Sequence, residues 1–305
     1  MISEKKINSQ STWITVNNPT ENEIQSIIHQ YNVTEEMLGY ATDPNERARI
    51  ETDHDANIFL IIFDVLSKDI TDSGSTEPIG IMLANNYVLT FTRSSTEFMN
   101  TIFDKYLGIA QRQENKISPL TIIFRTLYEL SVQYFDAVTN INRQRQQIQK
   151  SMVKRISRRS ISDMLHLETS LVYYLTSLKT NNALLTSLSR RPDIKMTKAQ
   201  HEQLEDVIVE SQQGEEMAQL ATDIIERVAN ANSNILDSDL NNTMKFLTVF
   251  SIVLAVPSIV FGFFGQNVLI PFQHSVMGWE FTIFITIILI LIVLLVLNLN
   301  NFFKK

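Results

Sequence analysis

The 305 residues include no cysteine, so the chain forms no disulfide, offers no thiolate to a metal and has no cysteine nucleophile. Glycine and proline are sparse, at 8 and 7 residues. Between Pro192 and Pro257 there is no further proline, and Gly214 is the one glycine. Gly-rich phosphate loops, nucleophile elbows and kinase motifs are absent, which argues against an enzyme and leaves no catalytic residue to nominate. A formal net charge of −7 argues against a general nucleic-acid binder, because phosphate binding needs a basic face. The opening "MISEKKINSQSTW" lacks the apolar core of a cleaved signal peptide. Charge is missing altogether from two C-terminal stretches.

Those stretches are Phe246 to Gly265 and Phe281 to Leu299, each about the length that crosses a bilayer as a helix. Pro257 would break a soluble helix, but membrane helices tolerate proline where neighbours satisfy the freed carbonyl. Lys245 abuts the first span, and Lys304 and Lys305 follow the second. The loop from Gln266 to Gly278 carries no Lys, Arg, Asp or Glu. Basic residues stay on the inner side, so the expected topology is a multi-pass plasma-membrane protein with both ends cytoplasmic and the short loop outside.

Steps of three and four along the first span connect Asn241, Met244, Thr248, Ser251, Ala255, Ser258 and Gly262. All but Met244 are small or polar. Such a stripe can line a water-filled pore, or it can be a seam between closely packed helices. The second span has no comparable stripe, only Thr282 and Thr286. Two spans cannot enclose a pore, so the pore reading requires a homo-oligomer.

Upstream, apolar or small residues at Leu204, Val207, Ile208, Met217, Ala221, Ile225, Val228 and Ile235 predict an amphipathic helix. It continues from about His201 into the first span as a rod on the order of 100 Å long. Its other side carries Glu205, Asp206, Glu210, Glu215, Glu216, Asp223, Glu226, Asp237 and Asp239 against Arg227. Ser118 to Ser151 and Ser160 to Arg191 predict a helical hairpin joined through the basic "KRISRR", Lys154 to Arg159. Earlier still, "TWITV", "RIETD", "NIFLIIFDV", "PIGIML" and "NYVLTFT" read as strands. "TENEIQSIIHQY" and "TEFMNTIFDKYL" read as helices with Thr20 and Thr96 at N-cap positions. "HEQLE" at His201 lacks the second histidine of a zinc-protease helix, and "ETDHDAN" around His54 reads more simply as a turn.

The predicted organisation is an α+β fold. An α/β sheet domain occupies 1–115, a long hairpin 116–200 and a stalk helix 201–245. The first span covers 246–265, an outer loop 266–280, the second span 281–299 and a basic tail 300–305. These pieces resemble the CorA-type divalent-cation channels, which include magnesium transporters and zinc-transporting relatives. The most specific stretch is "NNTMKFLTVF…FGFFGQN", similar to the family's Asn-x-x-Met-Lys-x-Leu-Thr start and Tyr-Gly-Met-Asn exit. Gly265 and Asn267 match the signature Gly and Asn. Gln266 stands where the family usually has Met, and Phe264 stands for its Tyr.

The resemblance implies a funnel-shaped homopentamer in the bilayer, five first spans around one pore, and magnesium as both the transported and the regulatory ion. Cobalt, nickel and zinc are alternatives. It implies that Asn241, Met244, Leu247 and Thr248 line the inner end of the pore, and that Gly265, Gln266 and Asn267 form the selective mouth. Lys245, Lys304 and Lys305 make a basic ring. Asp206 falls on an acidic position that binds regulatory cations between subunits, with Glu97 as a loosely placed partner. A zinc transporter on the same scaffold and a non-transporting membrane-anchored scaffold or sensor are the competing readings.

Overall fold

The computed structural model describes the chain except residues 9–10, 69–74, 85, 113–116, 155–156, 267–275 and 301–305, with backbone only at 153–154. In order the elements are β1 (Ile2–Lys6), β2 (Thr12–Asn17), α1 (Glu21–Tyr31), α2 (Glu35–Thr42), β3 (Arg49–Asp53), β4 (Ile58–Leu66), β5 (Thr76–Leu83) and β6 (Tyr87–Thr92). Then come α3 (Phe98–Arg112), α4 (Pro119–Lys154), α5 (Arg158–Ser189), α6 (Lys198–Phe264) and α7 (Gly278–Leu299). The chain divides into two compact units, 1–229 and 230–305.

In the first unit the six strands form one sheet in the order β1-β2-β6-β5-β4-β3. Only the β2–β6 pairing is parallel. β4 is an almost unbroken apolar run because both of its faces are covered. Phe59, Ile61, Phe63 and Val65 pack on one side with α3, α4, α5 and the start of α6. Ile58, Leu60 and Ile62 pack on the other with α1 and α2. The period-two alternation therefore feeds two separate hydrophobic layers. Beyond the sheet, Tyr134, Val138, Leu171, Leu178, Ala221 and Ile225 join α4, α5 and α6 in a third core. A Cβ at Gly214 would approach Leu178 to 3.3 Å, so this glycine lets α6 lie close to α5.

The five expected strands are present, and α1 starts as its sequence predicts. Thr20 caps it in a capping box: Glu23 N–H donates to the Thr20 hydroxyl and Thr20 N–H donates to the Glu23 carboxylate. Thr96 behaves differently. Its hydroxyl accepts from Arg93 N–H at 2.9 Å and closes the turn before α3 instead of capping it. β1 and α2 have no counterpart in the expectations.

One polar junction ties the sheet to the hairpin. Asp64 N–H donates to Asn181 Oδ1 at 3.0 Å, and Asn181 Nδ2 donates back to the Asp64 carbonyl at 2.8 Å. Tyr134 hydroxyl donates to the same carbonyl, and Thr180 hydroxyl to the Asp64 carboxylate, both at 3.1 Å. Burial pushes the Asp64 carboxyl up to about 6, against the smaller opposing effect of its hydroxyl donors.

Candidate ion pathway and cation positions

α6 is a single helix of 67 residues with Pro257 inside it, and α7 has 22 residues. Both are long and apolar enough to cross a membrane. In the second unit the sides of these helices differ. On α6, Val249, Val253, Val256, Pro257 and Phe264 are half-buried and Val260 is buried. On α7, Thr282, Ile285, Ile290, Val293 and Leu297 are half-buried and Thr286 is buried. Each set recurs every three or four residues, so each is one edge of its helix.

The predicted stripe is elsewhere. Asn241, Met244, Thr248, Ser251, Ala255, Ser258 and Gly262 are all exposed, and so is Leu247, which the resemblance adds to the pore lining. At about 100° per residue, the stripe lies roughly 150° around α6 from the sheltered edge. Thr248 and Ser258 hydroxyls donate to the carbonyls four residues back, at 2.8 and 3.2 Å. Bonds of this kind let a hydroxyl sit in an apolar span while its oxygen keeps acceptor capacity. The stripe is therefore not the seam within one chain.

α6 ends at Phe264, where Gly265 N–H donates to the Phe261 carbonyl at 2.8 Å. A Cβ on Gly265 would meet that carbonyl oxygen at 2.8 Å, so the residue after the span is held to glycine by its own helix. Gln266 is exposed, its N–H directed to the Phe263 carbonyl at 3.4 Å. Asn267, Lys304 and Lys305 lie outside the described residues. Lys245 is half-buried.

Between residues 198 and 229, α6 packs its predicted face inward: Leu204, Val207, Ala221 and Ile225 are fully buried. Two expectations change. Glu215 turns toward α5, where its carboxylate accepts from Asn182 Nδ2 at 2.5 Å. Ile235, placed on the buried face, is 51 % exposed, as are Leu236 at 39 % and Leu240 at 64 %. Asp206 is exposed and lines a cavity of about 230 Å³ with Tyr106, Phe124, Arg125, Tyr128 and Gln203. Glu97, at the start of α3, is exposed and does not line it. Among the described residues no three His, Asp or Glu side chains converge as a metal site. The cluster around His54 is a turn in which Asp53 Oδ1 accepts from Asp55 and Ala56 N–H.

The cavity beside Asp206 carried no signal in sequence reasoning. Gln203, one helical turn before Asp206, has its side-chain oxygen buried without a hydrogen-bond partner. Next to Tyr106, Lys105 Nζ donates to Glu129 at 2.8 Å. Burial first and the Glu129 carboxylate second push the pKa of Tyr106 up.

Comparison with known proteins covers nearly the whole chain. The family described as "CorA-like Mg2+ transporter protein" matches residues 8–305. The cobalt/magnesium transport protein CorA of Methanocaldococcus jannaschii is 22% identical over 267 residues, spanning 84% of this chain and 79% of the relative. A magnesium transport protein CorA of Helicobacter pylori is 20% identical over 260 residues, with the same coverage of 84% and 79%. The complete structure of the Methanocaldococcus jannaschii magnesium transporter superposes with a TM-score of 0.82 at 20% identity, over 95% of this chain and 90% of that one.

Proposed function

The chain belongs to the CorA-like Mg2+ transporter family, whose members are divalent-cation transporters, and from that premise we propose that it carries magnesium inward through a homopentameric pore in the plasma membrane. The observation that carries this reading is the exposed stripe from Asn241 to Gly262, set on the side of α6 away from its sheltered edge. Small and polar groups facing outward on a helix this apolar need either water or another copy of the chain. The exposed Ile235, Leu236 and Leu240 just before the span argue for further copies, because an uncovered amphipathic helix gains little from propensity alone.

In this reading five α6 spans surround the pathway. Asn241, Met244, Leu247 and Thr248 line its inner end, and Ser251, Ala255, Ser258 and Gly262 continue it outward. Gly265, Gln266 and Asn267 form the outer mouth. Magnesium sheds water reluctantly, so a ring of Asn267 carbonyl oxygens accepts hydrogen bonds from its hydration shell without stripping it. A ring without full charge holds the ion weakly enough to release it, as conduction requires. Lys245, Lys304 and Lys305 mark the cytoplasmic side. Asp206, facing Glu97 of a neighbouring copy, binds internal cations and closes the pore when they are plentiful.

Gln266 in the middle signature position gives a second reading some footing, a zinc transporter on the same scaffold. Flux into liposomes containing the purified protein separates them, comparing magnesium with zinc, cobalt and nickel and using Asn267→Ala as control. Magnesium entry that falls at least tenfold in Asn267→Ala is the expected result. Zinc entry with little magnesium transfers the protein to the second reading. No flux of any ion from an assembled oligomer favours a scaffold.

A further inference from the structure

We propose that the closed end of the α4–α5 hairpin docks on anionic phospholipid headgroups of the inner leaflet. The inference rests on the reading that both apolar spans sit in a bilayer with the soluble part of the chain on the cytoplasmic side. Between Asp136 and Asp163 the sequence has seven Lys or Arg and no Asp or Glu, in a chain of net charge −7. Arg143, Lys150, Arg158 and Arg159 are exposed there, and Lys154 and Arg155 lie outside the described side chains. Among the described residues none of the four exposed cations takes part in an ion pair. Arg158 and Arg159 open α5 just after its Ser157 cap, and no acid stands in the first turn. Cations in that place oppose the helix dipole, so an anion from outside is favoured beside them.

The same end of the hairpin is also apolar. Ile161, in the first turn of α5, and Leu165, one turn on, are exposed. Apolar groups beside unpaired cations suit the headgroup layer, where charge meets phosphate and hydrocarbon leaves water. A carboxylate partner would use the cations and leave both apolar groups wet. Asp223 and Glu226, on the stretch of α6 that packs against this hairpin, make no ion pair with them. The hairpin also ends on the side toward which α6 leads. A Cβ on Gly214 would be 4.0 Å from Tyr134 Cβ, so these positions of α6 and α4 are level. Met152 and Met164, near the closed end, share a core with Ala221 and Ile225 further along α6. From the level of Tyr134, α4 rises ~30 Å to Lys154, and from Gly214 α6 rises ~48 Å to Phe246. The potential of an anionic surface extends about one Debye length past its headgroups.

The chain has no cysteine, so a fluorophore on Ser151→Cys, an exposed position in the last turn of α4, reports on the hairpin end alone. The test is quenching of that fluorophore by headgroup-spin-labelled lipid, with the full-length protein in nanodiscs. Adding phosphatidylglycerol to phosphatidylcholine should raise quenching roughly twofold or more. The rise should vanish at about 1 M salt, where charges are screened within ~3 Å. Lys150→Gln, Arg158→Gln and Arg159→Gln together should remove about half of the rise or more, while Lys150→Arg, Arg158→Lys and Arg159→Lys together keep it. Equal quenching in the two lipids overturns the proposal and leaves the hairpin end to water or to the acids of another copy. A rise that survives high salt, or that is unchanged in the neutralised variant, also overturns it. If the neutralised variant does not fold, as read by its melt, the lipid and salt comparisons on the unneutralised hairpin decide. A protein that co-elutes with nanodiscs of neither lipid overturns the membrane reading itself.

Discussion

Asp64 is the residue whose chemistry is least expected from its neighbours in sequence. It lies in the apolar run of β4, yet its backbone is clasped by Asn181 and Tyr134, and its carboxylate accepts from Thr180. Those donors favour the ionised form, but burial outweighs them and raises the pKa from 3.8 to about 6. A carboxyl that binds its proton more tightly when folded adds stability below the unfolded pKa and loses it as pH rises through the folded value. The window here is from about pH 4 to pH 6. Asp64→Asn keeps an acceptor for Thr180 without the charge. It should stabilise the protein at pH 7.5 by up to about 3 kcal/mol, the equivalent of a two-unit shift, with the gain vanishing near pH 4. Chemical denaturation of both forms at the two pH values measures it. A gain that is equal at both would mean burial of Asp64 is not what shapes its titration.

At the scale of elements, what could be read ahead was whatever is written locally. Thr20 and Glu23 stand three residues apart and announce the start of α1. β4 and β6 announce themselves as β-branched and aromatic runs. β1 was illegible because its pattern is nearly all exposed, and only the register Ile2 opposite Val16 makes it a strand. α2 was illegible because it is short, contains Gly39, and is fixed by a distant contact. That contact did leave one mark, the glycine within "PIGIML", since an interior strand glycine often signals a close backbone approach. A Cβ on Gly80 would meet both Cβ and carbonyl O of Ala41 at 2.8 Å, so α2 sits directly on β5. Gly80→Ala should therefore push α2 off the sheet and cost about 1–3 kcal/mol. A melt unchanged by the substitution would show that α2 shifts freely. The cavity at Asp206 was illegible for the same reason as α2. Arg125 and Gln203 belong to different helices, and only the fold brings them to one cavity.

For the whole molecule the open choice in the sequence was whether the small and polar stripe of α6 lines water or binds another helix. Periodicity alone could not decide, because both uses need the same spacing. The structure narrows the choice, since the edge sheltered within one chain runs through Val253, Pro257 and Val260 and leaves Ser251 and Ser258 exposed. In the proposed reading those two serines meet water in a pore or meet other copies of the chain. Replacing Ser258 with Leu separates the two outcomes. If Ser258 lines the pathway, five leucines narrow it and dry it, as apolar constrictions do in channels. The oligomer then keeps its mass by native mass spectrometry while magnesium flux falls at least tenfold. If Ser258 lies between helices of neighbouring copies, the larger side chain does not fit where a small one allowed close approach. Assembly should then fail together with flux. Val260→Ala serves as the comparison, because it thins the sheltered edge without touching the stripe. It should lower the melting temperature and leave flux per assembled oligomer within about twofold, since a buried Val-to-Ala change creates a small cavity rather than an obstruction. Loss of assembly in Ser258→Leu with an intact Val260→Ala oligomer would make the stripe a contact surface, and the proposed pathway would have to be moved off it.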